Sequence, residues 1–168
     1  MSEVSFAPDV ACPRDRIREL LLDPEFLTAF VMNQHPVDEH ISVTITESVS
    51  TTDWLVATEG IPWPFRGLVR ETVPVSLGIT SPGPSLDQDG SIHLDLKGKV
   101  SGQLRASLSL LPVHQNRAQT TLAVRGLLNI HIGFLGGKAS NMARDHLIIP
   151  ILGELAEYLE EWCEGPPS

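Results

Sequence analysis

Gly136-Gly137-Lys138, inside "GFLGGKAS" at 133–140, follows an alternating apolar run and opens a helical one, the outline of a phosphate cradle. Such a loop needs G-x-x-x-x-G-K-[ST], which, with Gly137-Lys138 fixed, demands Gly at 132 and Ser or Thr at 139. The chain has Ile132 and Ala139 there, so the first glycine of the wrap and the hydroxyl for Mg²⁺ are both missing. The cradle also belongs to parallel α/β sheets. The two glycines therefore read as a tight strand-to-helix corner, and no nucleotide is expected.

Other residues with chemical potential form no constellation. The six histidines include no H-x-H or H-E-x-x-H spacing, so no metal site is expected. There is no G-x-S-x-G, and neither Cys12 nor Cys163 sits in a nucleophile context. Two cysteines at opposite ends of the chain read as free thiols in a reducing compartment. Asp145 lies three residues before Ile148 and extends an apolar helical stripe. Buried there, it would need an arginine such as Arg70, Arg105 or Arg125, and it could anchor a ligand or serve as an acid or base. Exposed, its charge would simply suit the helix start. Trp63 and Phe65, between prolines in "IPWPFRG", could with Trp54 stack on a flat ligand, form a partner patch or fill the core.

The elements that would position these residues follow from periodicity. "EVSFA" (3–7) forms a short strand. "CPRDRIRELLLDPEFLTAFV" reads as two helices with a bend at Asp23-Pro24. From residue 41 the period drops to 2. "ISVTITESV", "DWLVATEG", "LVRETVPVSLGI", "SIHLDLKGKV", "GQLRASLSLL" and "RAQTTLAVRGLLNIHI" are six successive strands of an antiparallel meander. A final helix runs from Lys138 to Cys163, with Ile148, Leu152, Leu155, Leu159 and Trp162 on one face. Pro150 would bend or break it, freeing the carbonyl of His146.

At 168 residues the chain suits one domain, taken as 1–164 with a tail at 165–168. A formal charge of −9 disfavours nucleic acids and anionic membranes. The start "MSEVSFAPDVACP" lacks the basic opening and apolar core of a signal peptide. No apolar stretch reaches membrane-spanning length, so a cytoplasmic protein without stable membrane insertion is expected.

The order strand, two helices, six strands, long helix resembles the START-like (SRPBCC) superfamily, which includes birch-pollen-allergen-like proteins and polyketide cyclases. "NIHIGFLGGKAS" and "LKGKVSGQLRASLSL" are similar to an uncharacterised bacterial family within it. The resemblance implies an α+β helix-grip fold: a curved antiparallel sheet wrapped around a long C-terminal helix, with an apolar cavity between them. The first functional expectation is binding, for carriage or sensing, of a lipid, isoprenoid or polyketide lined by Trp54, Arg70, Leu94, Leu108, Val124, Asp145, Ile148 and Leu152. No cofactor is implied and no catalytic residue is assigned. Alternatives are a cyclase, isomerase or hydrolase using Asp145 and Arg70, and an interaction module whose core is filled and whose apolar patch lies at Trp63 and Phe65.

Overall fold

The computed structural model describes residues 1–34, 36–56, 72–98, 100–132 and 137–167. Arg70, Trp63 and Phe65 lie outside the described residues.

The strands are β1 (Ser2–Phe6), β2 (Asp9–Val10), β3 (Pro36–Thr46), β4 (Val49–Val56), β5 (Val73–Thr80), β6 (Gly90–Leu96), β7 (Val100–Val113) and β8 (Asn116–Ile132). They form one sheet in the order β1-β8-β7-β6-β5-β4-β3, with β2 also on β8, and every pairing is antiparallel. Helices α1 (Arg14–Leu20) and α2 (Pro24–Met32) intervene between β2 and β3. The C-terminal helix comprises α3 (Lys138–Ala143), a π-helical turn (Arg144–Ile148) and α4 (Ile149–Glu161). This is the helix-grip architecture, a curved sheet closed over by the last helix.

Period-2 patterning explains the sheet's two faces. Trp54 pairs with Val75 and Val75 with Leu96, while Thr52, Leu77, Leu94, Leu104 and Leu128 make the next inner row. Between them the opposite face carries Asp53, Ser76, His93, Asp95 and Arg105, of which Asp53, His93 and Arg105 are exposed. The final helix lays its stripe on the inner side. Ile148, Leu152, Leu155, Leu159 and Trp162 are all buried, and the rings of Phe26 and Phe30 meet Trp162 and Tyr158 edge-on at 5.8 Å each. Burial of this stripe, rather than helix propensity, holds the helix in place.

The bend between α1 and α2 has a local cause. Asp23 caps α2 by accepting from the Glu25 N–H at 2.9 Å, and Pro24 takes the first helical position, where no N–H is required. Arginines then fix α1. Arg14 donates to the carbonyls of Leu110 and Ser85 at 3.0 Å, and Arg16 donates to those of Cys163 and Trp162 at 2.9 and 3.2 Å. The latter pair places a cation at the C-terminus of α4, where the helix dipole favours it.

Four sequence expectations are revised. First, 41–49 is not one strand. The chain turns at Glu47-Ser48, with Glu47 at φ 50°, and pairs Thr46 with Val49. Val49 consequently points outward and Ser50, Thr52 and Trp54 point inward. The turn hides in the sequence because it uses neither Gly nor Asn. Second, Cys12 and Cys163 are not free thiols but a disulfide, with Cα atoms 5.7 Å apart across 151 residues of sequence. The fold creates that proximity by laying the end of α4 beside the β2–α1 connection, which no local pattern encodes. Third, Pro150 neither breaks nor ends the helix. It lies in the first turn of α4, directly after the π turn, which widens the helix where the proline ring must be accommodated. Fourth, Gly137 caps α3 with an ordinary helical φ of −67°, and an added Cβ would meet open space, so the corner does not require glycine there.

Candidate functional site

The concave face of the sheet is apolar and unevenly sealed. Near one end, Trp54, Val75, Leu77, Leu94 and Leu96 keep 6–7% of their surface accessible, whereas Ile79, Leu108 and Leu110 toward the other end keep 0–1%. On α4, Leu152 and Ala156 keep 4% and 8%. Half-buried Ile41, Val43 and Ile45 continue the same face onto β3, the sheet's edge. The C-terminal helix packs chiefly on the β1, β2 and β8 side and on α2. Strand order places β4 four strands from β8, about 19 Å along the sheet. The slightly exposed residues thus lie on strands away from the helix's main seat, and two of them, Trp54 and Val75, also line a recess that opens on the outer side.

Strand β4 contains polar atoms without partners. Ser50, Thr52 and Trp54 stand at alternate positions on the inner face of β4, and Ser50 Oγ, Thr52 Oγ1 and Trp54 Nε1 are buried without any hydrogen-bond partner. Ser50 and Thr52 are fully buried and Trp54 is 6% exposed. The contrast with the other buried hydroxyls is complete. Thr120 Oγ1 donates to the Cys12 carbonyl at 2.7 Å, Ser140 Oγ accepts from the Ile130 N–H at 2.9 Å, Ser81 Oγ donates to the Arg18 carbonyl at 3.3 Å, and Ser2 Oγ is bonded to the Asn141 side chain. Buried polar groups ordinarily find partners, and an orphan marks a place where something is missing or strained.

The residues proposed from the sequence divide clearly. Trp54 and Leu94 face inward with 6% of their surface exposed, and Leu152 lies on the helix stripe at 4%. Leu108 and Val124 face inward but pair with each other in the sealed part, at 0% and 1% exposure, so they are core. Ile148 is likewise sealed at 1%. Asp145 is not in the bowl. Its side chain is 58% exposed and accepts from Arg144 Nε at 2.9 Å. That hydrogen bond holds its carboxyl below the usual carboxylate range. Arg144 in turn donates to the Glu3 carbonyl at 3.4 Å, tying the pair to the β1 edge. The stripe register that put Asp145 inside assumed a uniform α-helix. The π turn at Arg144–Ile148 adds a residue to the turn and rotates Asp145 outward. With Asp145 in solvent, the acid–base constellation imagined with Arg70 is not assembled by the described residues.

Ser50 and Thr52 escape the sequence reading because it places the tight turn on them, between strands ending at Val49 and starting at Asp53, and not before them at Glu47-Ser48. Two small hydroxyl residues alternating with Val49, Thr51 and Asp53 carry no apolar signal that would have announced an inward face.

A shallow pocket of about 260 Å³ also opens over β3, β4 and β5, with outward-facing His40, Asp53, Leu55, Pro74 and Lys97 around it. It is a surface recess, and its charged groups face water. Among the described residues no group of three or more His, Cys, Asp or Glu could hold a metal ion, and no helix is long and apolar enough to cross a membrane.

Residues 5–163 match the family described as "Protein of unknown function (DUF2505)". The chain belongs to that family. No curated protein matches it. Among solved structures, a protein of Thermus thermophilus is similar at TM-score 0.65 and 15% identity, covering 97% of each chain. The Zhui aromatase/cyclase of Streptomyces sp. R1128 is similar at TM-score 0.64 and 12% identity, covering 97% of this chain and 93% of that one. A START superfamily protein of Mycobacterium smegmatis is similar at TM-score 0.59 and 15% identity, over 96% and 97%. These likenesses establish the START-like helix-grip fold for this DUF2505 member.

Proposed function

We propose that this DUF2505 protein binds an apolar or aromatic small molecule, such as a lipid, isoprenoid or polyketide, between its sheet and its C-terminal helix, for carriage or sensing. One observation supports this above others: the accessible part of the inner face, from Trp54 across Val75 and Leu77 to Leu94 and Leu96, is apolar yet incompletely covered. An apolar occupant that buries such a face is stabilised at about 25 cal/mol per Å². The fold shared with an aromatase/cyclase and a START superfamily protein is consistent with a container. Among the described residues, Asp145 is paired with Arg144 on the surface and so supplies no acid or base to the inner face.

The test is native mass spectrometry of the protein as purified, followed by organic extraction. A co-purifying small apolar molecule, released on extraction, is the expected result. A protein that emerges empty and takes up no hydrophobic probe would instead favour the filled-core reading.

A further inference from the structure

Strand β3 is the open edge of the sheet, and its regular part is complementary to itself. We propose that two copies of this chain join along Ile41–Ile45, antiparallel about a two-fold axis at Val43, so that their sheets become continuous.

The opposite edge, β1, is occupied. Arg144 donates to the Glu3 carbonyl at 3.4 Å and Ser2 is bonded to the Asn141 side chain, which ties the C-terminal helix along that strand. At the other end of the strand order stands β3, and among the described residues no strand pairs with its far side. Which backbone groups face that side follows from the ladder. The Ser81 N–H donates to the Ser48 carbonyl at 2.8 Å, in register with the pairing of Val49 and Thr80. Bonding direction alternates along a strand, so even-numbered residues of β4 bond to β5 and odd-numbered ones to β3. Asp53, Thr51 and Val49 pair with Ser42, Thr44 and Thr46. The N–H and C=O groups of Ile41, Val43 and Ile45 are therefore directed at the open side. Native proteins blunt such an edge with lysine, proline, a bulge or an inward charge. A register shift between Pro36 and Ile41 does so at one end, but Ile41 to Thr46 contains none of these.

The residues of that stretch point to its occupant. "ISVTI" has the same chemistry in both directions: β-branched apolar residues at its ends and centre, with a hydroxyl residue between each. About an axis at Val43, Ile41 meets Ile45 of the partner subunit, Ser42 meets the partner's Thr44, and Val43 meets its own counterpart. The free N–H and C=O groups then exchange about six backbone hydrogen bonds. In one chain Ile41, Val43 and Ile45 are only half-buried against the core, and the added strand covers their open flank with side chains of the same shape. Because each copy has one open edge, assembly stops at two.

Sedimentation equilibrium of the full chain from about 1 to 200 µM should show the mass rising from 18.3 kDa to twice that value. Hydrogen exchange at the Val43 N–H should slow over the same range. Ser42→Lys with Thr44→Lys sets lysine against lysine in both pairs flanking the axis. Within one chain both side chains are exposed and position 42 faces Asp53, so the fold is spared. The double variant should raise the dimer Kd about tenfold or more. Should it fail to fold, Val43→Pro removes an N–H that only the partner uses and should abolish the dimer. A monomer throughout the range, assemblies larger than two, exchange at Val43 that ignores concentration, or a dimer that survives in a folded variant would overturn the inference.

Discussion

Replacing Thr52 by valine should make the empty protein more stable, which is the reverse of what most buried substitutions do. Thr52 is fully buried, and its hydroxyl has no partner. Leaving a buried hydroxyl unpaired costs about 1–3 kcal/mol. Valine has nearly the same shape, is equally branched at Cβ and suits a strand as well. The change therefore removes the penalty without opening a cavity, and it adds a methyl group beside the cross-strand neighbours Leu77 and Val43. A net gain of about 2 kcal/mol follows. In a domain of this size that raises Tm by roughly 4–8 °C. Thr120 supplies the internal control. It is equally buried, but its hydroxyl donates to the Cys12 carbonyl at 2.7 Å. Thr120→Val should lose about 1–3 kcal/mol, because it strands that carbonyl. Urea denaturation of the ligand-free protein, read at constant m, compares the two directly. Opposite signs are the expected outcome. If Thr52→Val were destabilising by as much as Thr120→Val, the Thr52 hydroxyl would have a partner in solution, and the unpaired ladder would not exist.

Two further outcomes follow from the same structure. The Cys12–Cys163 bridge closes nearly the whole chain into one loop, so reducing it should lower stability by roughly 3–5 kcal/mol, seen as a drop of roughly 6–20 °C in Tm; an unchanged Tm under reductant would mean the bridge is not formed in the purified protein. Tyr158 is the chain's one tyrosine, and its phenol is raised above the usual range, first by burial and then by the nearby charges of Glu161 and Glu154. Because the folded value lies above the unfolded one, the associated stability is complete below about pH 10 and is lost as pH rises through the folded value. Absorbance at 295 nm should therefore report one transition displaced above pH 10, and Tyr158→Phe should flatten that alkaline loss of stability.

Much of the fold could be read along the chain because its signals are local. Period 2 from Ile41 onward announced six strands, and the stripe from Ile148 to Trp162 announced the last helix. Asp23-Pro24 marked the boundary between α1 and α2 by cap chemistry that two adjacent residues carry. The apolar character of Leu94, Leu108, Val124 and Leu152 placed them inward by alternation or helical spacing alone. What alternation could not give was how completely each inward residue is covered, since that depends on what packs over it. Leu94 keeps some access and Leu108 keeps none.

Element order and the identity of the buried face were thus inscribed in the chain, because periodicity is a property of neighbouring residues. Three features arose only on folding. A turn at Glu47-Ser48, built without glycine, set the register that points Ser50 and Thr52 inward. A π turn rotated Asp145 out to Arg144. The packing of α4 beside α1 brought Cys12 to Cys163. Each is a matter of one residue's offset or of contacts across more than a hundred residues, and neither leaves a trace in local hydrophobic pattern.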